Sequence, residues 1–282
     1  MELVRMVRSP WFVGSVAVLG FLVIVSALLN QASYSEWYGY AQQYQTKNYG
    51  MENRVMVNAW VGTDRRPSSA LLYFLLPLLC LLPGAGTLIE ERASGYQAHA
   101  LSRMSDGLYY GAKALACFVA AGLVALMPLC LSLVASAMVM PYGLPDLMAY
   151  ATLSASISNL TPFQYLFYTF PIGYLGTWCV MTCCLCGLWA TTVLACSLFA
   201  RSPVRLFAGA CIFQILLNYA SVNLSKVLSA ELVNAVDLFT LLVPTGYEGS
   251  IPTSQTLGAS LVAYAAASLI IPILFFRRRC YL

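Results

Sequence analysis

The residues best suited to chemistry fall in three places. Cys179, Cys183, Cys184 and Cys186 crowd into CVMTCCLC (179–186), the densest group of thiols. Glu90, Glu91, Arg92, Arg103, Asp106 and Lys113 share the stretch LIEERASGYQAHALSRMSDGLYYGAKALA with His99, the only histidine. Gln214 and Asn218 are amides within an otherwise apolar run. The thiols would suit a metal. Zinc, however, normally recruits ligands from a second segment. Cys183 and Cys186 form a single CxxC with no second pair to complete a set, so packing by small side chains is the preferred role. A lone His99 makes no metal site and reads as a solvated loop residue. The patterns GxxxxGK[ST], HExxH and GxSxG are absent. No catalytic residue, metal or cofactor is assigned to this chain.

The elements that carry these residues are membrane helices. Of the 282 residues 60% are hydrophobic and 9% charged, against about 25% charged in a soluble domain. The mean hydropathy is +0.74. Polar surface is too scarce to cover a water-soluble globule, so the chain reads as one all-α polytopic membrane domain, 1–282. Crossing the hydrocarbon core takes about 20 mostly apolar residues. Six runs qualify: 11–30, 69–88, 114–140, 173–199, 206–224 and 256–276. None contains Lys, Arg, Asp, Glu or His. The first is longer than a signal-peptide core and lacks a cleavage site, so it is expected to be retained.

Placing both termini in the cytoplasm puts ten of the 15 Lys and Arg residues on the inner side, as the positive-inside rule requires. The net +4 charge is therefore a topology signal and implies no nucleic-acid partner. None of the ten cysteines falls in an outer loop, so no extracytoplasmic disulfide framework is expected.

Three connecting segments carry information. The first outer loop, 32–66, is rich in Tyr, and its aromatics are expected to anchor at the headgroups rather than form an ordered cap. The outer segment 141–170, broken by Pro141, Pro145 and Pro162, predicts a short interfacial piece leading into the fourth span. The outer segment 225–255 has a helical apolar face punctuated by Glu231 and Asp237. It predicts short helices dipping into the leaflet and ending at Pro244. Gln214 and Asn218 either pack helices or line a path.

The inner loop 87–113 is expected to continue the second span past the membrane surface, with its acidic residues in water. Gly95 permits a sharp turn. Tyr96–Asp106 forms a surface helix with Tyr96, Ala100 and Met104 on one face and Gln97 and Arg103 off it. Ser105, Asp106 and Gly107 end it. The spans hold no ionisable residue, which argues that any energy input comes from outside the membrane domain.

EERASGY (90–96), RMS (103–105) and Lys113 together resemble the first cytoplasmic loop of ABC-2 type permeases, the membrane subunits of ATP-driven exporters. VPTGY (243–247) is similar to the Pro-x-x-Tyr element found before the last helix of that family. Ser102 departs from the Pro that often stands there. The resemblance implies six spans, a cytoplasmic coupling helix and a re-entrant outer element. Glu90, Glu91 and Arg92 would anchor the loop, Gly95 would allow its turn, and Tyr96 and Arg103 would contact the ATPase. Lys113 would open the third helix, and Pro244 and Tyr247 would form the outer turn. It also implies a separate ATP-binding subunit holding ATP and Mg, a second permease copy or paralogue, a plasma-membrane location, and amphipathic cargo such as a lipid, peptide or drug. A non-transporting scaffold or sensor that binds a cytoplasmic partner is the rival reading.

Overall fold

The computed structural model describes residues 2–44, 55–64, 66–145, 162–224, 237–244 and 253–280, and every regular element among them is a helix. In chain order these are α1 (Glu2–Val7), α2 (Pro10–Tyr44), α3 (Met56–Ala59), α4 (Pro67–Leu79), α5 (Thr87–Ala93), α6 (Tyr96–Leu101) and α7 (Asp106–Val139), followed by α8 (Gln164–Thr169), α9 (Pro171–Cys196), α10 (Pro203–Leu224), α11 (Leu238–Leu242) and α12 (Ser254–Cys280). Five of them are long and apolar enough to cross a membrane: α2, α7, α9, α10 and α12. The chain is therefore a multi-pass membrane protein by architecture. α7, with 34 residues, is roughly 51 Å long at 1.5 Å per residue. That exceeds the roughly 30 Å hydrocarbon core and leaves its first turns free for polar contacts.

α7 is the central post. It packs along α9 and α2, and α9 in turn packs along α12. Ala120, Ala121, Gly122 and Ala125 are buried on α7, and the Cys183 thiol donates to the Gly122 carbonyl at 3.4 Å. Small residues let two helices approach closely where lipid supplies no hydrophobic drive between them. The nine cysteines from Cys80 to Cys211 are all free thiols.

The second apolar run, 69–88, is not one helix. α4 stops at Leu79, and 13 residues give only about 20 Å. Tight turns follow through Gly86, where Pro83 has no N–H to donate. A Cβ on Gly84 would meet the Cys117 Sγ at 2.6 Å, so only glycine lets this turn lie against α7. A helix that ends in an apolar setting leaves four carbonyls to satisfy, and each has a partner here. Leu76 O accepts from the Cys80 N–H, and Leu78 O from the Leu81 N–H. Pro77 O accepts from the Trp189 indole at 3.2 Å, and Leu79 O from the Ser15 hydroxyl at 3.1 Å. The break is held from two other helices.

The 32–66 segment also differs from its expected form. α2 runs on to Tyr44, well beyond residue 30. Residues 55–64 are an ordered plug, with Trp60, Val57 and Thr63 all fully buried. The Trp60 indole donates to Leu129 O at 3.2 Å, and the Val61 N–H donates to the Ser132 hydroxyl at 3.1 Å. Ser132 lies seven residues before the end of α7, so the plug enters roughly 10 Å along that helix. Trp60 is a core residue here, not a headgroup anchor. The piece expected before the fourth span is α8, directly ahead of α9.

Candidate functional site

A charged cluster forms where α1, α5 and α7 meet. α5 begins just after Gly86, with Glu90 in its first turn and Arg92 in its last, charges that suit the helix dipole at each end. Its helical period turns Glu91 inward while Glu90 stays exposed. The prediction of acidic residues in water therefore holds for Glu90 and fails for Glu91, which is 2% exposed. Glu91 ion-pairs with Lys113, itself 1% exposed. It accepts from the Arg5 guanidinium at 2.7 Å and from the Tyr109 hydroxyl. Lys113 also reaches Glu2 Oε2 at 3.0 Å, and its ammonium lies 5.6 Å from the centre of the Tyr109 ring.

Two acids and two bases make this cluster neutral, which is what allows it to be buried. Burial alone would raise the Glu91 carboxyl. Lys113, Tyr109 and Arg5 outweigh it, and the group titrates below its ordinary range. Glu2, Arg5 and Tyr109 carried no signal in the sequence that would assign them here, because they come from an N-terminal helix and from a turn of α7 beyond the apolar run.

The loop that follows is braced to the same posts. Gly95 has φ 76°, the left-handed conformation expected of it, and opens α6. Arg92 donates to Gln97 Oε1 at 3.4 Å and to Leu198 O, just past the end of α9, at 3.3 Å. Gln97 Nε2 donates to the Tyr110 hydroxyl at 2.6 Å. α6 thus docks through Gln97 and presents Tyr96 and His99 outward, with Arg103 exposed in the turn that follows. Tyr96 is 49% and Met104 41% exposed, while Gln97 is buried. The helix is shorter than expected, ending at Leu101, and α7 already starts at Asp106. Ser102 closes α6, its N–H donating to Ala98 O and its hydroxyl to His99 O. A proline at this position would forfeit the first of these bonds. Beside the cluster, Arg5 and Glu90 border a cavity of about 250 Å³ whose far wall includes Phe207 of α10.

The opposite end of the bundle holds two buried carboxylates. Asp237, fully buried, accepts from Asn218 Nδ2 at 2.9 Å, Gln214 Nε2 at 3.4 Å, the Thr240 hydroxyl at 2.6 Å and the Phe239 N–H at 3.1 Å. The two amides of α10 therefore hold α11 in place. α11 also receives the Trp178 indole on Leu242 O at 2.9 Å, and Phe239 stacks on Phe74 at 4.5 Å. Pro244 is buried just beyond α11, whereas Tyr247 lies outside the described residues. Asp64 gathers the Ser26 and Ser69 hydroxyls, Asn30 Nδ2 and the Arg66 N–H at 2.9 to 3.2 Å. Burial raises its carboxyl, and these donors offset the rise only partly.

Among the described residues no group of three or more His, Cys, Asp or Glu could hold a metal ion. At this end a short exposed helix, α6, is joined to α7 through Gln97 and Tyr110 and follows α5, whose Glu91 is held by buried ionic contacts. No family model matches the chain, and no curated protein or solved structure is significantly similar to it.

Proposed function

We propose that this chain is the permease subunit of an ATP-driven exporter, coupled to a separate ATPase through the 87–113 loop. The observation that carries the reading is the clamp on Glu91. It ties α5 and α7, the two elements flanking α6, to each other and to α1. A force applied to the exposed face of α6 therefore reaches α7, the post on which α2 and α9 pack. The resemblance of 90–96 and 103–105 to an ABC-2 coupling loop supports the same reading.

In the proposed cycle, six spans with cytoplasmic termini pair with a second permease copy or paralogue in the plasma membrane. Two ATPase subunits bind ATP and Mg. Closure of the ATPase dimer moves each α6, and α7 tilts with it. The differential affinity of ATP for the closed state biases the equilibrium toward an outward-facing path. α11, held by Gln214 and Asn218 through Asp237, is the outer re-entrant element.

Reconstitution tests it. The chain, extracted in mild detergent with its ATPase and placed in liposomes, should move a fluorescent amphiphile when ATP is added. Gly95→Pro should abolish that flux while hydrolysis and insertion persist. Failure of any ATPase to co-purify, together with ATP-independent behaviour in liposomes, would leave the scaffold or sensor reading.

A further inference from the structure

α10 and α12 are the least buried of the long helices, and between them, with α9 as the back wall, lies a cleft of about 950 Å³. That is at the upper end of the roughly 300–1,000 Å³ usual for small-molecule sites. Its body is apolar and aromatic. Trp189 stacks with Phe213 at 6.2 Å and meets Tyr264 edge-on at 5.8 Å. Gly209 lines it with open space where a Cβ would stand.

One end of the cleft is cationic. Arg201, in the turn after α9, and Arg205, in the first turn of α10, both line it. Arg201 and Arg205 are exposed, and neither forms a salt bridge among the described residues. This is the end at which Arg92 meets Leu198, so the cationic rim lies on the same side as α5 and α6.

An apolar slot beneath a basic rim has the chemistry of one occupant. We infer that the α9/α10/α12 cleft is a binding site for an anionic phospholipid of the leaflet on the α6 side. The acyl chain lies against Trp189 and Phe213, and the phosphate sits at Arg201 and Arg205. Basic pockets between membrane helices bind acidic headgroups in this way, and guanidinium groups bind phosphate through paired donors. The site does not depend on the exporter reading and would persist if that reading failed.

Brominated lipids test it directly. The full chain is reconstituted in vesicles of phosphatidylcholine carrying either dibromo-phosphatidylglycerol or dibromo-phosphatidylcholine. The Trp189-dependent quenching is obtained by difference from Trp189→Phe. Phosphatidylglycerol should quench at about fivefold or more lower mole fraction, the scale of one arginine near an anionic surface. Arg201→Gln with Arg205→Gln should remove that preference, and Gly209→Leu, which fills the slot, should remove the quenching by both lipids. Equal quenching by the two lipids, a preference that survives the arginine substitutions, or quenching unchanged in Gly209→Leu would overturn the assignment. So would no quenching by either lipid, the result expected if a second copy of the chain covers the cleft.

Discussion

Arg5 and Glu91 lie 86 residues apart in the chain and 2.7 Å apart in the fold. With Lys113 on the other side of the carboxylate, this contact turns the surface helix α1 into part of the loop it overlies.

Removing one partner of a buried pair leaves the other charge unpaired, at a cost of about 3–5 kcal/mol. Glu91→Gln and Lys113→Met should each destabilise the chain on that scale, read as the midpoint of unfolding in detergent. Arg5 is half exposed, with 52% of its side chain accessible, so Arg5→Gln should fall within about 1 kcal/mol.

The clamp should depend on pH with a definite sign. The Glu91 carboxyl titrates below its ordinary 4.5 in the folded chain. A group whose pKa is depressed by folding stabilises above its unfolded pKa. That contribution is lost as pH falls through the folded value. Hydrogen exchange of α1 and α5 amides should stay slow at neutral pH and quicken relative to the rest on acidification below about 4.5. In Glu91→Gln this change with pH should vanish.

Some of this was legible beforehand, for physical reasons. Gly95 could be read because a sharp reversal between two helices calls for the residue that tolerates positive φ. Glu91 and Lys113 could be read as the ends of a loop but not as a pair, since the helical phase that buries them depends on where α5 starts. That start is set by the break at Pro83 and Gly84, which hydropathy averages away within an apolar run. Glu2 and Arg5 had no local pattern to give them away. Gln214 and Asn218 stood out as amides, and Asp237 as a charge in an apolar face. Their meeting rests on packing between α10 and α11 that no local pattern encodes.

Asp237 and its four donors anchor α11. Asp237→Ala leaves Gln214, Asn218, Thr240 and the Phe239 N–H without their acceptor, and each unsatisfied buried group costs about 1–3 kcal/mol. Trp178, bonded to Leu242 O, is the reporter: its emission should shift to the red as α11 comes loose. An unshifted spectrum would mean that α11 is held by its apolar contacts alone.

Asp64 is the second buried carboxylate at that end. Because burial already favours its neutral form, Asp64→Asn should fall within about 1 kcal/mol of the parent at neutral pH. Asp64→Ala should cost about 1–3 kcal/mol by stranding Ser26, Asn30 and Ser69. Thermal unfolding of the two variants side by side distinguishes a hydrogen-bonding role from a requirement for charge.

The most direct test of force transfer through α6 is a pull-down from mild detergent with the parent chain and Arg103→Glu, followed by an ATP hydrolysis assay of each eluate. Arg103 is exposed in the turn just after α6 and lies outside the clamp, so insertion and folding should be unchanged. The coupling role predicts ATPase activity in the parent eluate and at least about tenfold less with Arg103→Glu, the scale of one lost interfacial charge contact. No ATPase with the parent chain, or equal activity in both eluates, would contradict it.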